Sequence, residues 1–267
     1  MVGFRSHQHS LLTFLRGFGS MDDLVLNITE EGLEAAGTVE RAFFVSRWSN
    51  FREGQESTGE GQIALGQLDT FLSLVGEWGQ GNEEIEVELD DEGIIKVTGS
   101  TASFSIPTIA SATSQAGVET IVGYLEESEA ADWKPFGSGE FAFHVQFPAT
   151  NFQQLRNTGK AIQSGALYCI AVDDTGLTLS VKRDQIRTDR HLDYDEAEQD
   201  TPDDEVILWF GKWLMDALKA MPGKGTIHVH GGPNAPLLIR HEAPDDDNAF
   251  GTHTVIAPRQ EEAGVSE

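Results

Sequence analysis

Hydrophobic positions recur along this chain with two periods, and the periods alternate. Residues 24–37, "LVLNITEEGLEAAG", place apolar side chains at every second position on both sides of an acidic turn. The pattern returns at 85–99, "IEVELDDEGIIKVTG", and at 167–181, "LYCIAVDDTGLTLSV". Residues 226–241, "TIHVHGGPNAPLLIRH", repeat it with a different turn, placed near Pro236. Alternation predicts strands, and an Asp/Glu-rich turn ending in Gly predicts a hairpin in which Gly supplies a positive φ. Ahead of each hairpin the spacing becomes that of a helix. The stripes are Leu11, Phe14, Leu15 and Phe18; Leu68, Phe71, Leu72 and Val75; Phe152, Leu155, Gly159 and Ile162; and Phe210, Trp213, Leu214 and Ala217/Leu218. Each is one apolar face on an amphipathic helix. Gly17 and Gly19 shorten the first of them.

The units fall into two pairs. Gly32 to Gly93 is nearly the same span as Gly176 to Pro236, and the middle interval holds roughly twenty residues more. Each unit reads as strand, helix, then three strands. The expected fold class is α+β: two similar domains, each a duplicated unit, with helices on one face of antiparallel sheets. The domains are 1–109 and 140–259, joined by a connector at 110–139 and followed by an acidic tail at 260–267. Within the connector, "GVETIVGYLEE" has the composition of a short helix.

Composition narrows the setting. No run of about 18 apolar residues occurs, so no membrane span is expected, and "MVGFRSHQHS" lacks the pattern of a signal peptide. A single cysteine, Cys169, excludes an intramolecular disulfide and fits a reducing cytoplasm. Asn27 heads a glycosylation triplet that a cytoplasmic chain leaves unused. The formal net charge is −26. Three readings compete: a disordered acidic chain, a DNA mimic or partner of basic proteins, and a protein of a salt-loving organism. Five Trp and fifteen Phe in regular periodicity argue against the first. The acids are scattered rather than blocked, apart from "DEAEQDTPDDE" and "DDD", which favours the third.

The ordered series of segments resembles the DNA sliding clamp family of proliferating cell nuclear antigen (PCNA). "NITEEGLEAAG" resembles its first hairpin, and "VELDDEGIIKVTGSTASFSIP" the strand run closing its first domain. "FHVQFPATNFQQLRNTGKAI" resembles the opening of its second domain, "FGKWLMDALKAM" its last helix, and "PLLIRHE…GTHTVIAPR" its end. Two stretches depart from the pattern: "GTVERAFFV" after the first hairpin, and the long connector.

The resemblance implies a non-enzymatic homotrimeric ring that encircles duplex DNA as a polymerase processivity factor. It would need no cofactor, no metal and no membrane. Implied partners are the replicative DNA polymerase, the clamp loader and other clamp-motif proteins, in the cytoplasm of a salt-loving archaeon or in its virus. Implied DNA-facing residues are Arg16, Arg156, Lys160, Lys212 and Lys219. Implied partner-binding residues are Phe43, Phe44, Pro236, Val255, Ile256, Ala257 and Pro258. The implied subunit interface joins Phe104, Ile106 and Ile109 in "TASFSIPTI" to His191, Leu192 and Tyr194 in "DRHLDYD".

Two rivals stand beside this reading. One is a clamp-fold scaffold or decoy that binds replication proteins without encircling DNA. The other is an enzyme: His228 and His230 share a strand face, and with His241 and His253 they form a candidate zinc set. "PGKGT" at 222–226 fails as a phosphate loop because Gly225 follows Lys224.

Overall fold

The computed structural model of the chain describes residues 1–19, 21, 23–39, 42–78, 83–109, 112–160, 166–194, 199–221, 223–242 and 251–259. The predicted continuation of the third helix through Ile162, Asp195 at the end of "DRHLDYD" and the 260–267 tail lie outside them. The chain forms two compact units. The first comprises Met1–Val39, Phe44–Thr120 and Asp245–Thr252; the second comprises Glu40–Phe43, Ile121–Pro244 and His253–Glu267.

The first unit opens with β1 (Val2–His7), α1 (Gln8–Leu15), β2 (Leu24–Ile28), β3 (Gly32–Val39) and β4 (Phe43–Asn50). It continues with β5 (Glu56–Gly59), β6 (Gly61–Leu65), α2 (Leu68–Gly76), β7 (Glu84–Leu89), β8 (Ile94–Thr98) and β9 (Ser103–Pro107). The two copies interlock, because each gives its first strand to the other's sheet. One sheet has the order β5-β1-β7-β8-β9, and β6 pairs with β2, which pairs with β3. The helices lie together: the buried Gln8 amide of α1 donates to the carbonyls of Val75 and Trp78 at the end of α2, groups that a helix C-terminus leaves unpaired.

α3 (Ala112–Ala130) begins in the first unit and ends in the second, and a short β10 (Pro135–Phe136) and β11 (Gly139–Glu140) pair follows. The helix is longer than "GVETIVGYLEE". Among its described side chains the buried positions are Val118, Leu125 and Ser128, a narrow stripe, so the pattern shows little of its length.

The second unit repeats the arrangement with β12 (Phe143–Pro148), α4 (Ala149–Lys160), β13 (Leu167–Val172), β14 (Gly176–Arg183) and β15 (Ile186–Asp193). Its other copy is β16 (Val206–Phe210), α5 (Trp213–Ala220), β17 (Thr226–Gly232), β18 (Ala235–Glu242) and β19 (Gly251–Ile256). β16 joins the sheet β15-β14-β13-β16, and β12 lies beside β17 and β18. The duplicated strand–helix–three-strand fold is therefore present twice, as expected.

Three details differ from expectation. The fourth helix starts at Trp213, and Phe210 ends a strand. Phe210 is in phase with Trp213 and Leu214, so a strand residue looks like part of a helical stripe. Pro236 lies inside β18, and the turn before it is Pro233–Asn234. Among the three turn glycines only Gly93 has a positive φ, +79°. Gly32 and Gly176 start strands, and a Cβ there would strike the backbone carbonyls of Ser49 and Leu192. They are needed for close approach rather than for handedness. Two of the turn acids, Asp90 and Asp173, are structural. Asp90 accepts from Glu92 N and Ile94 N at 3.0 and 2.9 Å, and Asp173 from Thr175 N and Gly176 N at 2.7 and 3.0 Å. The Lys96 ammonium at Asp90 and the Thr175 hydroxyl at Asp173, followed by these backbone bonds, hold both carboxyls below the usual aspartate range.

Candidate nucleic-acid interface

The helices carry the candidate charges. α1 buries Leu11, Leu12, Phe14 and Leu15, then tightens into a 3-10 turn over Arg16–Phe18. A Cβ on Gly17 would overlap the guanidinium of Arg47, so this turn can close only around glycine. Arg16 projects exposed from it. α2 buries Leu68, Phe71 and Val75 and has Asp69 in its first turn and no cation. α4 buries Phe152 and Leu155 and carries Arg156, half buried, and Lys160, exposed. The Arg156 Nε is shielded from water with no hydrogen-bond partner among the described residues. Arg190 of β15 donates to Gln154, which adds a third cation beside α4.

α5 differs. Lys219 pairs with Asp216 at 3.1 Å, one turn back on the same helix. Lys212 lies over the Trp213 ring, its Nζ 4.0 Å from the centroid, and Trp213 stacks on Phe43 at 5.4 Å. Of the five predicted cations, Arg16, Lys160, Lys212 and Lys219 are exposed and Arg156 is half buried.

A signal missed in the sequence lies in what the helices lack. Neither α1 nor α4 contains Asp or Glu, and residues 141–172 contain none at all. In a chain with 44 acids, the corresponding first helices of the two units are free of acid.

The predicted interface strands β9 and β15 are both sheet edges among the described residues. Phe104 points to the helices, packing edge-on against Phe71 and Trp78 at 5.8 and 5.2 Å. Ile106 and Ile109 are half buried. On β15, Leu192 is buried, and His191 bonds Thr178 at 2.8 Å and meets Asp193 at 3.3 Å. The Tyr194 hydroxyl donates to the carbonyls of Asp173 and Gly176, outside the strand. Ile186 is 61% exposed at the start of the same edge.

Solved structures share this architecture. PCNA of A. fulgidus with the C-terminal region of FEN-1 bound superposes with a TM-score of 0.71 at 14% identity, over 98% of this chain and 100% of that one. PCNA of Thermococcus kodakaraensis gives 0.70 at 14% over 97% and 100%. The PCNA2–PCNA3 complex of Sulfolobus tokodaii gives 0.70 at 17% over 96% and 99%. The chain has the sliding-clamp fold. No protein-family model and no curated protein matches its sequence.

On this clamp fold the predicted partner residues divide by burial. Phe43, Phe44, Val255 and Ile256 are core residues. Pro236 and Pro258 are half buried and Ala257 is exposed. Ala257 N donates to Ala42 O at 2.9 Å and Arg259 N to Trp209 O at 2.7 Å, which fixes the segment after β19.

The histidines do not form the candidate zinc set. His228 and His230 do share the face of β17 away from Ile227 and Val229, but their near neighbour is His144 of β12, 84 residues from His228 in the chain. Its Nε2 is 2.9 Å from His228 Nδ1, and its ring stacks on His230 at 4.2 Å. His241 lies opposite Ile227 and bonds the Lys224 carbonyl instead. Arg240 Nε donates to His230 Nε2 at 3.2 Å, and Trp133 covers the Arg240 guanidinium at 3.9 Å. Among the described residues, no group of three or more His, Cys, Asp or Glu is placed to hold a metal. Burial pushes the imidazoles down, His144 to about 4, His253 to about 3 and His230 to about 2. They are neutral packing groups at neutral pH.

Proposed function

We propose that the chain is a DNA polymerase processivity factor, a non-enzymatic clamp that encircles duplex DNA as a homotrimeric ring. It docks replication and repair proteins, among them the replicative polymerase and the clamp loader. The observation that carries the reading is the pairing of a clamp fold with acid-free α1 and α4 in a chain of net charge −26. β9 and β15 are sheet edges among the described residues, and pairing between neighbouring subunits would close both. The working medium is strong salt, in a halophilic archaeon or its virus. Phosphate contacts weaken as salt rises, and the Debye length falls to about 3 Å at 1 M. Enclosure holds DNA where charge alone holds it poorly.

The test is light scattering behind size exclusion in about 3 M and about 0.3 M KCl, on either side of strong screening, followed by retention on circular against linear duplex. Three times the 29.1 kDa chain mass in high salt, with retention on circles only, is expected. A monomer at every salt sinks the self-assembled ring. The runner-up is then a clamp-fold scaffold that binds replication proteins without encircling DNA. What favours it is the poverty of free cations: α2 has none, Lys219 is paired, and Lys212 is drawn onto Trp213.

A further inference from the structure

The polar face of α1 opens on a cavity of about 90 Å³. It is lined by His9, Ser10, Thr13 and Phe14 of α1, by Ser49 near the end of β4, and by Arg52 and Gln55 between β4 and β5. That is room for several waters, or for one tetrahedral oxyanion that keeps part of its hydration. Phe14 is the apolar floor. The remaining side chains supply a guanidinium, an imidazole, three hydroxyls and a carboxamide, all able to donate. No carboxylate is among the described lining residues, although acids outnumber Lys and Arg by 44 to 18 in the chain. Residues 1–21 contain no acid at all.

The walls are fixed before any ligand arrives. Gln55 N donates to Arg52 O at 2.7 Å, closing a turn through Gly54 at φ +78°. A side chain at Gly54 would be strained and would also meet His7 Nε2 at 3.0 Å. Gln55 Nε2 then donates to Ser6 Oγ at 3.0 Å, tying the turn to β1. This brings Arg52 and Gln55 to face the α1 residues at i and i+4, His9 and Thr13.

A second cation stands behind the floor. Arg47 is 2% exposed, and its Nη1 donates to the carbonyls of Phe14 at 2.8 Å and Thr13 at 3.3 Å. Those carbonyls belong to the negative end of α1, which would repel an anion. Arg47 satisfies them and brings positive charge. Burial lowers it to about 9, so it stays protonated at neutral pH.

We propose that this cavity is an oxyanion site for a phosphate group, with Arg52 as the charged ligand and His9, Ser10 and Thr13 as hydrogen-bond donors. Side chains with donor groups line it from the helix, from β4 and from the turn, the Ser49 hydroxyl also donating to Asn50 O at 3.4 Å. A tetrahedral oxyanion with three or four acceptor oxygens uses all three directions, whereas a planar carboxylate engages an arginine fork and little else. The phosphate comes either from a nucleic-acid backbone or from the free ion. The site itself does not depend on ring formation; only the backbone source rests on the clamp reading.

The test titrates inorganic phosphate into the full chain, at constant ionic strength in KCl, by calorimetry and by amide shifts of α1. Saturable binding is expected. Arg52→Gln lowers the affinity about tenfold or more, as loss of a charged hydrogen bond implies. Thr13→Val lowers it by less, Arg52→Lys retains most of it, and Lys96→Gln leaves it unchanged. Circular dichroism checks that each variant folds, and Thr13→Val keeps the test decisive should Arg52→Gln not fold. Absence of saturable binding, or equal affinity in wild type, Arg52→Gln and Thr13→Val, overturns the site. A duplex oligonucleotide then identifies the source. If phosphate competes with it and Arg52→Gln weakens it, the ligand is a backbone phosphodiester. If phosphate binds but duplex affinity ignores Arg52, the ligand is the free ion. Failure of the ring, read as a monomer in light scattering, leaves the phosphate titration untouched.

Discussion

Arg47 in the first unit and the imidazole cluster in the second are both buried nitrogen bases, yet they are kept in opposite charge states. Arg47 is 2% exposed and remains a cation. Its bonds run to the carbonyls of Thr13 and Phe14 at the end of α1, and its guanidinium lies 5.8 Å from the Phe18 ring centroid. His230 is fully buried and neutral: its Nε2 accepts from Arg240, and its Nδ1 has no hydrogen-bond partner among the described residues. The cause is chemical. A guanidinium cannot shed its proton at neutral pH, so it must be given acceptors. An imidazole with nearby cations and little water releases its proton instead. One site is held by satisfying a charge, the other by having none.

The largest expected effect breaks the first half of this comparison. Arg47→Ala removes a buried cation, leaves the α1 carbonyls without their donor and opens a cavity. We expect a loss of about 3–5 kcal/mol, read from denaturant melts in constant KCl. Gly17→Ala reaches the same site from the other side, because the added Cβ would overlap the Arg47 guanidinium. Its cost is about 1–3 kcal/mol. If Gly17→Ala were neutral in the Arg47→Ala background, the two would be shown to act through one contact.

Acid sharpens the second half. His144, His228, His230 and His253 all have folded-state pKa values below the ordinary 6.5. The unfolded chain therefore takes up protons first. Their contribution to stability is complete above about pH 6.5 and is lost as pH falls toward 4 and below, by at most about 1.4 kcal/mol per pH unit for each histidine. The hydrogen-bonded carboxylates Glu83, Asp90, Asp173 and Asp189 are also depressed, but from ordinary values of 4.5 and 3.8, so they act at lower pH. Melts between pH 7 and 5 isolate the imidazoles. A flat profile there, or one that His230→Phe leaves unchanged, contradicts a neutral buried cluster.

These two sites also mark the limit of what the sequence discloses. The hairpins and the helix stripes could be read because period and turn chemistry are local. The exchange of first strands between copies could not, since nothing in β1 states that it pairs with β7. Spacing alone puts His228 and His230 on one face, but His144 is 84 residues from His228 and meets them only through the β12–β17 register. Arg47 sits in "FFVSRWSN", where a cation reads as a solvent-facing residue. Its parity with Val45, which is fully buried, is the one hint of its inward direction. The five DNA-facing candidates were readable as charges, whereas the pairing of Lys219 with Asp216 was not a certainty of spacing.

That pairing gives the smallest expected effect, and it separates α4 from α5. Lys160 is exposed on the last turn of a helix without acids, and it makes no ion pair among the described residues. Lys219 is already paired, in an exposed contact of the kind worth about 0–1 kcal/mol. A phosphate that approaches Lys219 must compete with Asp216, and one that approaches Lys160 meets no carboxylate paired to it among the described residues. Each phosphate contact contributes about 0.9 to the slope of log affinity against log salt on duplex DNA. Lys160→Gln should therefore lower that slope by close to one contact in retention assays on circular duplex, and Lys219→Gln by a small fraction of that. Asp216→Asn should raise the slope by freeing Lys219. Equal slopes for the two lysine variants would place both helices alike toward the DNA and deny that the acid-free surface of α4 has any privileged part in holding it.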